Sequence, residues 1–229
     1  MKGLVIIAAV LLGFAGGLFW LLRPSDRDLV RVEEDVARLL DESAGSLDQI
    51  TLQFNTLRSI RPNLQGLRQE LDTLRRQLDQ FREEYRTLRE ERPAAKADHA
   101  PFLRRRQQLR TQADQLRQST HGLAERVAVV DDFMRSTQPR IQVMKEVFLE
   151  LFNLRRRLQQ EGRKIDPDVN QKIDYLYGEK ESLLALARSV INIGSQNAEQ
   201  GRTIAASVAG GVERIIADAQ ALARILAAS

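Results

Sequence analysis

The sequence predicts an all-α fold, in which an N-terminal transmembrane helix is followed by a long antiparallel coiled-coil rod of about three helices. Three observations point there. Apolar residues recur at alternating three- and four-residue spacings over most of the chain. The composition is 29% charged and only 5% aromatic, so large core anchors are few and a narrow seam is the natural route to burial. No stretch alternates with period two long enough for a sheet.

The first element is the anchor, residues 1–24. Gly3 to Leu22 is an uncharged run flanked by Lys2 and Arg23, with Trp20 near one end and Pro24 at the exit. Its 20 residues at about 1.5 Å each span the hydrocarbon thickness of a bilayer. Cleavage as a signal peptide at Gly13-Phe14-Ala15 is the rival reading, but it leaves GGLFWLL as an exposed apolar N-terminus. Ala9, Gly13 and Gly17 fall four apart on one face, which lets a second helix approach closely and allows a homo-oligomer. Arg23, Arg27, Arg31 and Arg38 come after the span against one Lys before it, favouring a cytoplasmic rod, although a Lys-led tail also fits a signal anchor that exports the chain beyond it.

The second element is a coiled-coil hairpin over residues 25–161. Ser25 and Asp28 suit a helix start, and Leu29, Val32, Val36 and Leu39 begin a seam. Ala44-Gly45-Ser46 reads as a weak break. A longer seam runs from Leu47 through Leu57, Ile60 and Leu64 to Leu88, with a three-residue irregularity around Pro62 that reads as a stammer in one continuous arm. Pro93 and Pro101 bracket a polar turn, PAAKADHAP, placed at the distal tip of the rod. A second seam then runs from Leu109 through Val130, Met134, Thr137 and Ile141 to Leu151, straight through Pro139, which predicts a kink and not a helix end. With the tip turn centred near residue 97, paired positions sum to about 194, setting Leu64 beside Val130 and Leu47 beside Glu146. Pro62 and Pro139 then fall near one level and, with Gly45, are the candidate bend or hinge positions.

The third element, residues 168–229, is expected as one further helix. Gly162 and Pro167 frame its turn, and Lys180 interrupts its seam. Its Ala-rich, charge-poor end from Thr203 to Ala228 is marginal alone, so packing on the rod or on a partner must order it. A parallel homodimer through the first seam remains the alternative to the intrachain hairpin.

The chemistry of an enzyme is missing. There is no Cys, His99 and His121 have no second ligand at metal spacing, and no phosphate-cradling or nucleophile motif occurs. No cofactor or metal is expected, and carboxylates sit on solvated faces. Arg104, Arg105, Arg106 and Arg155, Arg156, Arg157 are the sharpest charge clusters. A phosphate or anionic-lipid contact is the sharp reading. Three consecutive helix residues point about 100° apart, however, which favours a diffuse collar.

An anchor followed by coiled coil resembles the layout of many bacterial envelope proteins, division factors and phage spanins among them. Layout and residues together predict a single-pass protein of a bacterial inner membrane. Its function is that of a structural scaffold tethering or spacing a partner, through the rod tip or the C-terminal helix. The alternatives are a signalling or motor-associated subunit that transmits helix movement and, against the near-balanced charge of +4, a membrane-linked nucleic-acid-associated protein.

Overall fold

The computed structural model describes residues 26–57, 64–91 and 99–228. Six α-helices follow in order: α1 (Asp26–Thr56), α2 (Gln65–Glu90), α3 (Ala100–Asp132), α4 (Gln138–Gln160), α5 (Pro167–Gly194) and α6 (Ala198–Ala228). A π-helical turn, Phe133–Thr137, joins α3 to α4. No strand occurs among the described residues, so the all-helical expectation holds. No helix among them is long and apolar enough to cross a membrane. The apolar run 3–22, with Ala9, Gly13 and Gly17, lies outside the described residues, as do Pro62 and most of the turn 93–101.

The chain divides into two compact units. The first comprises the described residues up to Leu47 together with Asp72–His121, and the second Asp48–Leu71 with Gly122 onward.

In the first unit, ion pairs reveal the direction of each helix. Glu33 pairs with Arg106, Asp35 with Arg110 and Glu42 with Arg117, so positions 73 to 75 residues apart in sequence lie together. That constant offset makes α1 and α3 parallel. Asp41 on α1 meets Arg82 on α2 at 3.9 Å. Leu88 O and Glu91 on the α2 side meet Arg106 and Arg105 on α3, sums of 194 and 196. Helix α2 is therefore antiparallel to α3, close to the expected register, and antiparallel to α1.

This overturns the single long arm. Helices α1 and α2, on either side of residues 58–63, run in opposite directions and do not continue one another. The physical reason is the ambiguity of a seam. Leu57 and Leu64 are both buried, and a 4-3 row looks the same in one helix as in two that fold back on each other. Glu91, the described residue before the turn 93–101, meets Arg105 and Arg106, and Arg106 in turn meets Glu33 near the start of α1.

Nor is there a break at Gly45, because α1 is helical throughout. The seam passes the site by placing Ser43 in the core, fully buried, with its hydroxyl donating to Leu39 O at 2.7 Å. A Cβ on Gly45 would meet nothing within 4 Å. The apolar core of this unit includes Leu29, Val32, Val36, Leu39, Leu40, Leu47, Leu74, Leu78, Leu88, Leu109, Ala113 and Leu116.

In the second unit, Thr56 Oγ1 at the end of α1 lies 3.0 Å from Asp131 Oδ1, to which Arg135 Nε donates at 2.9 Å. Glu70 on α2 pairs with Arg126 on α3, another sum of 196. The helix then continues past Pro139 by way of the π-turn. Pro139 has no N–H for Arg135 O, and in a regular α-helix its ring would press on that carbonyl. The backbone widens one turn earlier, where Gln138 N–H donates to Phe133 O. The widening buries Phe133, while the expected Met134 is only half-buried.

Gly162 ends α4 with φ of 71°, a left-handed position that favours glycine. Gly162 N–H donates to Gln159 O and Arg163 N–H to Leu158 O, the paired bonds of a Schellman end. Asp166 caps α5 by accepting from Asp168 N at 2.9 Å, and Pro167 occupies its first turn.

The expected single third helix is two helices. Helix α5 stops at Gly194, and Asn197 Oδ1 accepts from Gln200 N–H to start α6. Glycine makes this reversal possible. A Cβ on Gly201 would lie 2.5 Å from Gly194 Cα, so the two backbones touch where any side chain would separate them. Arg126 bonds Ser195 O from beneath.

Helix α6 buries Gly201, Val208, Val212, Ile215, Ala219, Leu222 and Leu226, a 4-3 row after the first full heptad. It packs against α4 and α5, so its order comes from this chain. Each fully buried Val, Ile or Leu contributes about 1.5–3 kcal/mol relative to exposure. Across α4 and α6, Arg140 grips the Glu213 carboxylate with two nitrogens, which lowers the glutamate's titration and raises the arginine's.

Candidate docking groove

Helix α4 has a second row beside its core row. Ile141, Met144, Phe148, Leu151 and Leu158 face inward. Lys145, Leu149, Phe152 and Arg156, at spacings of four, three and four, line up on the adjacent face. Across from them α5 runs antiparallel and contributes Asp174, Tyr177 and Lys180. Arg155 Nη1 to Asp174 Oδ1, 2.7 Å, fixes the register of the two walls. The result is an open groove of about 630 Å³.

Its floor is aromatic. The Phe148 and Phe152 ring centroids are 6.1 Å apart, and Phe152 meets Tyr177 edge-on at 5.5 Å. Lys180 Nζ sits 4.3 Å from the Tyr177 centroid and 5.2 Å from that of Phe148, where the negative ring faces attract it. The Lys180 side chain is 12% exposed and donates to Glu181 at 2.8 Å. That hydrogen bond, followed by the ammonium charge, holds the Glu181 carboxyl below the usual carboxylate range. Leu149, at 62% exposed, and Tyr177, at 42%, remain uncovered.

Charge in the groove is one-sided. Asp174 is occupied by Arg155 and Glu181 by Lys180. Lys145 and Arg156 have no acidic residue three or four positions away in either direction, and neither is ion-paired with a described residue.

The sequence-derived candidates are dispersed. Arg104 is exposed, Arg105 pairs with Glu91, and Arg106 is buried. Arg106 is not an external anion contact. Its guanidinium bonds Glu33 at 2.6 Å, Leu88 O, and Glu91 O at 3.2 Å, so it closes the C-terminal end of α2 from inside the bundle. Arg155 belongs to the groove wall, Arg156 lines the groove, and Arg157 is exposed outside it. Phe152, Tyr177 and Lys180 were not expected as a site. Their signal was the lysine interrupting an apolar row three residues after a tyrosine.

Two other grooves are less one-sided. Between α1 and α3, about 660 Å³ is lined by Arg38, Glu42, Arg110, Asp114 and Arg117, whose charges pair among themselves and with Asp35. Between α5 and α6, about 590 Å³ is lined by Tyr175, Gly178, Ser182, Leu186 and Arg214, with Arg214 paired to Glu179. No group of His, Cys, Asp and Glu suited to a metal ion occurs among the described residues. Comparison with protein-family models, curated proteins and solved structures finds no match, so the groove is read from its own geometry.

Proposed function

We propose that this chain is a membrane-anchored antiparallel coiled-coil scaffold that tethers a protein partner at a bacterial inner membrane. The observation that carries this reading is a set of large apolar side chains left uncovered on α4 and α5: Leu149, Tyr175, Tyr177 and Leu186, from 37% to 70% exposed. They line open grooves between helices and not an enclosed cavity, which suits a protein surface better than a small substrate. The uncharged run 3–22 supplies the attachment to lipid. Hairpins held by buried seams supply a body that keeps the grooves in place.

Two measurements on the full chain in cells test this. The protein should stay with membranes through high salt and carbonate. A photo-crosslinking residue replacing Tyr175 should give one dominant protein adduct. Recovery of a soluble species starting near Gly16 would remove the anchor. Absence of any adduct from Tyr175 and Leu186 would remove the tether.

A further inference from the structure

We propose that the α4–α5 groove is the docking site for an acidic protein segment bearing apolar side chains, with Lys145 and Arg156 holding its carboxylates and Leu149, Phe152 and Tyr177 its apolar face. This names the partner chemistry of the tethering reading and rests on that reading only for its purpose in the cell.

Charge complementarity identifies the occupant. In the groove lining Asp174 is engaged by Arg155 and Lys180 by Glu181, which leaves Lys145 and Arg156 as the cations without a described acidic partner. Lys145 and Arg156 stand 11 residues apart on one face of α4, about 16 Å at the helical rise. Between them lie Leu149 and Phe152. The pattern is cation, apolar, apolar, cation. A helix with carboxylates at its two ends and apolar residues between them is its complement. Lys180, paired with Glu181, packs its ammonium on the Tyr177 ring and leaves that ring half-exposed.

The same spacing disfavours a polyanion. Exposed Glu146 and Glu150 stand beside the row on α4 and would repel a continuous line of phosphates running from Lys145 to Arg156. An anionic lipid surface meets the same two glutamates. A small anion would gain nothing from the apolar centre.

The test uses the full chain in nanodiscs of zwitterionic phosphatidylcholine. The probe is a labelled synthetic helical peptide with two Glu about 11 residues apart and Leu and Phe between them, followed by fluorescence anisotropy. Saturable binding is expected, and Lys145→Glu with Arg156→Glu should weaken it by about tenfold or more. The same double variant should gain affinity for a peptide in which both Glu are Lys. Leu149→Ala should weaken both pairings. All three sites line an open groove and the two cations are not ion-paired with any described residue, so thermal unfolding should barely move, which separates lost binding from lost folding. The proposal is overturned if the acidic peptide does not saturate or if both proteins bind it equally. It is also overturned if phosphatidylglycerol nanodiscs or a single-stranded oligonucleotide bind more tightly through the same two cations. Because the peptide is measured on purified protein, loss of the anchor would leave these results standing.

Discussion

Arg106 is among the most consequential side chains in the first unit, because it is buried and charged. Only 3% of its side chain is exposed, and it satisfies Glu33 together with two carbonyls at the end of α2. Removing one partner of a buried pair typically costs about 3–5 kcal/mol, because the other is left uncompensated. Arg106→Ala should therefore lower the urea-unfolding free energy by about that amount, while Arg104→Ala on the exposed face should stay within about 0.5 kcal/mol. Equal effects would refute the internal role. Glycines divide in the same way. Gly201→Ala places a Cβ 2.5 Å from Gly194 Cα, a backbone atom that cannot step aside, and overpacking of this kind costs about 1–3 kcal/mol. Gly210→Ala meets nothing within 4 Å and should stabilise α6 by about 0.5–1 kcal/mol. Thermal unfolding of the two variants should move in opposite directions. The sequence shows both as glycines in a helical stretch and cannot tell which touches a backbone.

Helices that meet their neighbours through apolar rows were legible, and their ends were less so. The pairing of α2 with α3 could be read because the PAAKADHAP turn is long, polar and bounded by prolines. The reversal between α1 and α2 was hidden, since Leu57 and Leu64 keep the row going and one proline reads as a kink. The turn between α5 and α6 was hidden by brevity, with Gly194 to Asn197 containing no proline and a single glycine. Helix α6 carries its 4-3 row on Gly201, Val208, Val212 and Ala219 as well as Ile215, Leu222 and Leu226, so its larger members are too widely spaced to stand out from an Ala-rich background. Pro139 shows how a helix absorbs what its sequence appears to forbid. An unaccommodated interior proline costs about 3 kcal/mol, but the π-turn at Phe133–Thr137 already makes room. Pro139→Ala should therefore stabilise the protein by less than about 1 kcal/mol, well short of that full cost. A gain near the full value in urea unfolding would show that the turn does not relieve the proline. The groove was illegible at this scale because its residues belong to two helices whose facing sides depend on the register set by Arg155 and Asp174.

At the scale of the whole chain, path matters more than content. The same apolar rows could serve one long hairpin or several short ones, and ion pairs between helices decide the matter in the first unit. Cysteine substitution tests the path directly in a chain with no Cys of its own. A short bis-maleimide should link Asp41→Cys to Arg82→Cys within one molecule and leave Leu47→Cys with Glu146→Cys unlinked. The reverse result would restore the continuous arm. The parallel and antiparallel offsets also constrain how this gene can change in length. Near residue 38 of α1, the facing positions are about residue 85 of α2 and about residue 113 of α3, by the offsets of the ion pairs. A heptad inserted at one of these points alone displaces every charge partner beyond it by about 10 Å. Only a matched insertion at all three preserves the register, so the span of this unit is inherited as a single trait written in three separate places, and single insertions or deletions there should be rare among its descendants.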